Sequence, residues 1–192
     1  MYKHGLKRVI DFILVFIVLV VIWPILLLIT IWLHFANKGA GAFFTQERPG
    51  KDGKIFRVIK FKSMTDERDA SGKLLPDAKR LTHVGKFVRA TSIDELPQLI
   101  NVLKGDMSLI GPRPERPQFV EKFREEIPRY MVKHQVRPGL TGWAQVNGYR
   151  GDTSIIKRIE HDLYYIENWT LGFDFKIMFL TVFKGFINKN AY

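Results

Sequence analysis

The sequence has 192 residues, of which 46% are hydrophobic, and this length is typical of one domain with a real core. It contains no cysteine, which excludes disulfide bonds, thiol catalysis and cysteine-ligated metal, and its five histidines lack HxxxH-type spacing. A formal net charge of +11 favours an anionic partner, either nucleic acid, anionic lipid or a phosphorylated substrate.

The first predicted element is an apolar segment at residues 12–33, in which Thr30 is the one polar residue. About 20 apolar residues are enough to cross a bilayer. A signal peptide usually has a shorter apolar region, and a cleavage site of small residues is missing here. The remaining chain is too short to bury a helix that is hydrophobic on every side. The segment is therefore predicted to enter the membrane.

Two features favour a re-entrant helix over one that spans the membrane. Pro24 lies in the middle of the segment, where proline removes a helix hydrogen bond and bends the axis. Lys7 and Arg8 precede the segment and a run of basic residues follows it, so both flanks fit the cytoplasmic side. A carboxylate at Asp11 would be costly without a partner, and we expect it to pair with Lys7 or Arg8.

The rest of the chain alternates short regular elements with Gly- and Pro-rich loops. Two β-prone runs joined by "RPGKDG" predict a hairpin over residues 42–62. The following pattern predicts a polar loop at 66–80, a helix from about 94 to 104, an irregular loop at 105–117, an amphipathic helix at 118–132 that is bent at Pro128, a second Gly/Pro-rich loop at 136–151 and a helix at 153–167.

A last helix is indicated by apolar residues that share one face, with Lys176 and Lys184 off that face. The face is rich in phenylalanine and consists of Phe175, Met178, Phe179, Val182, Phe183 and Phe186. It is consistent with a core helix. It is equally consistent with an interfacial helix that places phenylalanine at the acyl boundary and lysine at the headgroups.

The adjacent carboxylates Asp94 and Glu95 carry the main functional question. Ser92 and Glu95 match a helix capping box, and acidic residues favour helix N-termini in any case. Pro97 weakens that interpretation, because its missing N–H would break the helix ladder if Ser92 were the N-cap. We expect the helix to begin at Asp94 or later, and the pair to act either as a cap or in catalysis.

Basic residues in the neighbouring loops favour catalysis on a phosphorylated substrate. Arginine binds phosphate oxygens bidentately, and prolines keep such loops rigid. A carboxylate in such a site can attack phosphorus, and its neighbour can hold a divalent metal. Neither a P-loop nor a dinucleotide-binding glycine motif is present. The candidate phosphate-binding residues are Arg89, Arg113, Arg116, Lys60, Lys62, Arg137 and Arg150.

Several long motifs resemble those of a known family. They are "KRVIDF", "FFTQERPGKDGKIF", "KFKSM", "SIDELPQLINVLKGDMSLIGPRP" and "VRPGLTGWAQVNG", and together the resemblance covers roughly residues 5–190. The chain resembles the bacterial sugar transferases known as monotopic phosphoglycosyl transferases. The resemblance implies an enzyme that transfers a sugar 1-phosphate from a UDP-sugar to undecaprenyl phosphate and releases UMP.

The resemblance also implies roles for individual residues. Asp94 would be the nucleophile that carries a covalent phosphosugar, and Glu95 would assist it and bind Mg²⁺. Arg89 and Arg113 would be phosphate ligands. The family's re-entrant helix would place the site at the cytoplasmic face of the bacterial inner membrane, in contact with membrane lipid. Many members have a serine before the helix-breaking proline, whereas this chain has Trp23, which leaves the geometry of the kink open.

The end of the chain resembles the catalytic ends of larger hexose-1-phosphate transferases, which implies glucose or galactose as the sugar. The multi-span region of those proteins is absent here, so we expect either a minimal catalytic form or a truncation. A homodimer is among the expected assemblies. The alternative function is a membrane-tethered scaffold or nucleic-acid-binding protein. We expect no nucleic acid partner, because the basic residues lie in Pro/Gly loops and no nucleic-acid module is recognisable.

The predicted fold class is α+β and mostly helical. Residues 1–36 are predicted to form a re-entrant membrane helix hairpin kinked at Pro24. Residues 37–192 are predicted to form a cytoplasmic, membrane-associated catalytic domain of surface amphipathic helices with a small β-hairpin.

Overall fold

The computed structural model describes residues 5–185, and within that range the chain is mostly helical with two small sheets. Its helices are α1 (Leu6–Ala36), α2 (Asp77–Arg80), α3 (His83–Ala90), α4 (Gln98–Lys104), α5 (Pro117–Glu126), α6 (Trp143–Val146), α7 (Ile155–Glu167) and α8 (Leu171–Gly185). Its strands are β1 (Phe43–Pro49), β2 (Ile55–Phe61), β3 (Ser108–Ile110) and β4 (Gly139–Thr141). The mostly helical character and the small β-hairpin are confirmed.

Helix α1 is an apolar helix of 31 residues that packs on the rest of the protein along one stripe. The stripe repeats every three or four residues, as expected for one helix face, and consists of Val15, Leu19, Ile22, Leu26, Ile29 and Leu33. Of the most apolar 18-residue stretch of this helix, only 6% is buried within the protein. The helix is therefore not a core helix, and by length and composition it could cross a membrane.

Pro24 lies inside α1, which continues across it as a single helix. The re-entrant hairpin and its kink therefore stay predictions. The pairing predicted for Asp11 is confirmed, since Lys7 Nζ lies 3.6 Å from its carboxylate. Lys7 also lies 2.6 Å from Asp174 of α8, so the start of α1 is tied to the C-terminal helix by a buried ion pair.

The β-hairpin forms as predicted, with β1 and β2 antiparallel from the Phe43–Phe61 pair to the Pro49–Ile55 pair. The next helix, α3, was missed by the sequence analysis. The Thr82 side chain caps it by accepting a hydrogen bond from the Gly85 backbone N–H. The predicted polar loop at 66–80 also contains one element, the single turn of α2 at its end.

The prediction that residues 105–117 are irregular is wrong for β3, which pairs in parallel with β4 from the second Gly/Pro-rich loop. The two loops approach so closely that a Cβ on Gly139 would lie 2.1 Å from the backbone nitrogen of Gly111. Glycine is required at this position because a side chain would overlap the facing backbone. Non-local pairing of three-residue strands leaves little periodic signal in the sequence.

Helices α7 and α8 close the described part of the chain, and α7 confirms the helix predicted at 153–167. In α8 the buried residues Asp174 and Ile177 face the protein, whereas Phe175, Phe179 and Phe183 are more than half exposed. This exposure does not fit the alternative of a core helix for that face. Phe186, predicted to extend the face, lies outside the described residues.

Candidate active site

The two carboxylates lie on a short turn rather than on an α-helix. Residues Ile93–Glu95 form one 3₁₀ turn, and α4 begins at Gln98 with Pro97 as its N-cap. This agrees with the prediction that the helix begins at Asp94 or later, although the turn that carries the pair is 3₁₀ rather than α. The capping box is also not formed, because Ser92 adopts a left-handed conformation (φ 56°) and its hydroxyl accepts a hydrogen bond from Arg150 instead.

Glu95 is buried and is paired with three basic side chains from three different segments. Its Oε1 lies 2.8 Å from Lys60 Nζ of β2 and 2.6 Å from Arg113 Nη2. Its Oε2 lies 3.2 Å from Arg113 Nη1 and 3.3 Å from Arg150 Nη2. Burial opposes ionisation, but Arg113, Lys60 and Arg150 together hold the pKa of Glu95 well below its usual value. Glu95 is therefore a fixed anion that holds these cations in one place.

Asp94 is also buried, with 5% of its surface exposed, but its environment is the opposite of that of Glu95. Its Oδ1 is buried and has no hydrogen-bond partner among residues 5–185. Burial, followed by repulsion from Glu95, raises the pKa of Asp94 from 3.8 to about 6, against the opposing effect of Lys60, Arg150 and Arg89. Adjacent carboxylates whose pKa values are driven apart are typical of catalytic pairs.

The cations around the pair favour an anionic substrate. Four positive groups act on the two carboxylates, namely Lys60, Arg89, Arg113 and Arg150, and they leave a local formal charge of +2. Arg89 is oriented by Ser63, whose hydroxyl accepts a hydrogen bond of 2.8 Å from its Nε. A positively charged, mostly buried site of this kind attracts phosphate groups.

The structure does not bring the other three candidate phosphate ligands to the carboxylates. Lys62 pairs with Asp66 and donates to the Ala40 carbonyl. Arg116 is exposed at the N-cap of α5. Arg137 donates to the Gly105 carbonyl over 2.8 Å, and it lines a different cavity, beside the start of α1. Lys62, Arg116 and Arg137 therefore lie outside the arrangement around Asp94.

The sequence did not identify the residues that contact the loop carrying Arg113 and hold it in place. Arg48 of β1 lies close to the loop that carries Arg113 and donates to the Pro114 carbonyl over 3.2 Å. Burial, together with the nearby Arg113, lowers the pKa of Arg48 to about 10. Glu115 in the same loop is held by Arg158 of α7, at 2.7 Å. Nothing in the local sequence distinguishes these residues, since their partners are distant in the chain.

The predicted membrane-flank residues are buried contacts within the protein. Lys7 is bound by Asp11 and Asp174, and the Arg8 guanidinium donates to the carbonyls of Val102 and Leu103 at the end of α4. The Asp11 carboxylate also accepts a 2.6 Å hydrogen bond from Ser108 of β3. These contacts fix the base of the apolar helix to the body that carries the carboxylate pair.

Magnesium does not fit at Glu95 as the site is arranged. The cations already fill both of its oxygens, and a divalent ion there would lie beside three positive groups. Within residues 5–185 no cluster of three or more His, Asp or Glu side chains offers a ligand set. The Mg²⁺ requirement therefore stays a prediction.

Buried carboxylates with pKa values driven apart, set among cations, are typical of active sites that bind anionic groups, and here a long apolar helix is fixed to the same body. Comparison with known proteins identifies the family. The profile of the bacterial sugar transferase family matches residues 2–188. The chain belongs to this family.

The relatives include proteins of several lengths. The UDP-glucose:undecaprenyl-phosphate glucose-1-phosphate transferase of Klebsiella pneumoniae is 49% identical over 97% of this chain and 41% of its own length. The uncharacterized sugar transferase EpsL of Bacillus subtilis is 46% identical over 96% of this chain and 89% of its own length. The undecaprenyl-phosphate galactose phosphotransferase of Salmonella typhimurium is 38% identical over 92% of this chain and 39% of its own length. This chain thus spans about two fifths of the length of the Klebsiella and Salmonella relatives.

Proposed function

We propose that this protein transfers a hexose 1-phosphate from a UDP-sugar to undecaprenyl phosphate and releases UMP. The observation that carries the proposal is Asp94, a buried carboxylate that lies among cations and has one oxygen without a hydrogen-bond partner within residues 5–185. The Klebsiella and Salmonella relatives are named as transferases that act on undecaprenyl phosphate, which supports the same acceptor here. Both glucose and galactose occur among those names, and we propose one of these two sugars.

The first step transfers the phosphosugar to the enzyme. An oxygen of the ionised Asp94 attacks the β-phosphorus of the UDP-sugar, and the bond between this phosphorus and the bridging oxygen breaks. The electron pair of that bond leaves with UMP, and Asp94 carries the sugar 1-phosphate as an acyl phosphate. A pKa of about 6 leaves Asp94 mostly ionised at neutral pH and more basic than an ordinary aspartate, which favours nucleophilic attack.

The second step regenerates the enzyme. A phosphate oxygen of undecaprenyl phosphate attacks the same phosphorus, and the bond to the Asp94 oxygen breaks. The electron pair returns to the carboxylate, and the product is an undecaprenyl diphosphosugar. Splitting the transfer in this way lets one nucleophile serve two substrates in turn.

Glu95 and its cations stabilise the charge that develops on the phosphate oxygens. Lys60, Arg113 and Arg150 are held at the pair by Glu95 before substrate binds, so their arrangement requires little reorganisation. Arg89, whose charge also acts on Asp94, is the fourth cation available to the diphosphate. The excess of positive charge suits a substrate that brings two phosphate groups.

We place the site at the membrane surface, on the cytoplasmic face of the bacterial inner membrane. Both ends of α1 contact the same body, through Lys7 and Arg8 at its start and through Leu33 near its end. This arrangement supports a re-entrant helix whose two ends stay on one side of the bilayer. It brings Asp94 to the level of the acceptor's phosphate while the acceptor's tail remains in lipid.

The test is the Asp94→Asn variant of the purified protein in lipid nanodiscs, supplied with UDP-glucose or UDP-galactose and undecaprenyl phosphate. We expect UMP release to fall at least about a thousandfold, since the nucleophile is lost. With the wild-type protein and no acceptor, intact mass should increase by one hexose phosphate, and the adduct should map to Asp94. Asp152→Asn, an exposed carboxylate outside the site, is the control. Wild-type turnover by Asp94→Asn would refute the mechanism.

A further inference from the structure

A cavity of about 260 Å³ is lined by Glu95, the second carboxylate of the pair. Its polar end is formed by Ser92, Glu95 and Arg150, and Arg150 is held there by its contacts with the other two. Beyond this end the lining is mainly aliphatic and includes Leu109 and Leu140. The cavity thus joins a cationic site to an apolar interior.

Helix α8 forms another part of the cavity wall. Met178, Leu180 and Val182 line it, and Val182 is at the same time 56% exposed on the outer surface of the helix. The neighbouring exposed residues, Phe179 and Phe183, form an apolar helix face. The cavity therefore leads from Glu95 and Arg150 towards a surface suited to lipid.

The polar side chains that line this cavity are either hydrogen-bonded within the protein or buried from water. The hydroxyls of Thr141 and Thr181 lie 2.8 Å apart and bond to each other, and Thr181 also donates to the Ile177 carbonyl. The Nε2 of Gln145 donates to the Leu140 carbonyl, and its Oε1 is buried from water and has no hydrogen-bond partner among the described residues. A hydrocarbon chain could occupy the path without stripping water from unpaired groups, whereas a uridine or a sugar would lose its hydrogen bonds there.

We propose that this cavity receives the isoprenoid units next to the phosphate of the polyprenyl phosphate acceptor, with the phosphate at Arg150 and the chain leaving past Val182. The proposal rests on the proposed function and assigns its second substrate to a place in the fold. The charge at one end and the hydrocarbon lining behind it match the two parts of such a lipid. The phosphate is thereby directed towards the side of the site where Glu95 and Asp94 lie.

The test narrows the mouth of the cavity with Val182→Trp and compares it with Phe183→Trp. The two positions are adjacent on α8 and 56% and 57% exposed, but Phe183 is not among the residues that line the cavity. We expect Val182→Trp to raise the KM for undecaprenyl phosphate about tenfold, which corresponds to roughly 1.4 kcal/mol. The effect should not extend to the rate of UMP release in the first half-reaction, measured without acceptor. Phe183→Trp should change neither quantity.

Two outcomes would overturn the inference. One is an unchanged acceptor KM in Val182→Trp. The other is a slower first half-reaction with a raised KM for the UDP-sugar, which would show that the cavity holds the donor.

A binding measurement separates this inference from the proposed function. Undecaprenyl phosphate and undecaprenol, which lacks the phosphate, are titrated in nanodiscs without UDP-sugar, so that catalysis is not needed. We expect wild type to bind the phosphate form at least about tenfold more tightly than undecaprenol, because Arg150 pairs with the phosphate. Val182→Trp should weaken that binding.

Equal binding of the two lipids would show that the cavity takes membrane hydrocarbon in general. Equal binding of undecaprenyl phosphate by wild type and Val182→Trp would place the acceptor elsewhere. If binding behaves as expected but wild type releases no UMP, the proposed reaction fails and the lipid site stands.

Discussion

Replacing Asp94 by asparagine should inactivate the protein and stabilise it at the same time. The folded structure raises the pKa of Asp94 from 3.8 to about 6, first through burial and then through Glu95. Each pKa unit corresponds to about 1.4 kcal/mol, so the ionised Asp94 lowers the free energy of unfolding by about 3 kcal/mol. Asparagine is nearly isosteric and uncharged, and it removes that loss.

The gain in unfolding free energy of Asp94→Asn over wild type should increase as the pH rises. Below about pH 4, Asp94 is protonated in the folded and unfolded states alike, and the variant gains nothing. Between about pH 4 and pH 6 the unfolded state ionises first, so wild type becomes progressively less stable relative to the variant. Above about pH 7 the difference is constant. For a chain of this size, about 3 kcal/mol corresponds to a rise in Tm of roughly 6–12 °C.

The assay is thermal unfolding of wild type and Asp94→Asn in the same nanodiscs at about pH 4.5 and pH 8. The exposed Asp152→Asn variant serves as the control and should unfold with wild type at both values. The reasoning is refuted if Asp94→Asn is no more stable than wild type at pH 8. It is also refuted if the difference is the same at both pH values.

Three further predictions concern the carboxylate pair. In the first half-reaction, kcat/KM for the UDP-sugar should fall about tenfold per pH unit below about pH 6, because protonated Asp94 cannot attack. The pH dependence of adduct formation measures this, and a rate that is constant down to pH 5 would contradict it. Glu95→Gln should move this acid-side loss of activity to lower pH, because the repulsion from Glu95 that helps to raise the pKa of Asp94 is removed. The variant should also lose about 3 kcal/mol of unfolding free energy, because the cations are left without their anion. If the loss of activity stays near pH 6, the two carboxylates are not coupled in this way. Mn²⁺ binding to the protein without UDP-sugar, followed by electron paramagnetic resonance, should be millimolar or weaker, because the oxygens of Glu95 are occupied. Micromolar binding to the free protein would show that the pair rearranges to hold the ion.

The arrangement of the site explains how two neighbouring carboxylates can differ in chemistry. Both are 5% exposed, so burial alone does not distinguish them. The difference comes from their partners: the two oxygens of Glu95 contact Lys60, Arg113 and Arg150, whereas Oδ1 of Asp94 is left unpaired within the described residues. One carboxylate thus organises the cations, and we propose that the other reacts.

The sequence by itself determined the elements with strong local signals. The length and apolar character of residues 12–33 predict the membrane helix, and the turn signals "RPGKDG" predict the hairpin that β1 and β2 form. The order of the motifs indicated the family that the comparison confirms. The Asp94–Glu95 pair was also found from sequence, because two acids before a proline and an apolar run stand out among basic loops.

Only the tertiary structure decided which cations reach the pair. Lys60 and Lys62 are two residues apart and looked equivalent in sequence, yet Lys60 pairs with Glu95 and Lys62 with Asp66. Arg137 and Arg150 lie in one Gly/Pro-rich loop, yet only Arg150 of the two contacts Glu95 in the described structure. The same holds for the parallel pairing of β3 with β4. These choices depend on how distant segments pack against one another, and a side chain's direction in that packing is not encoded by its immediate neighbours in the chain.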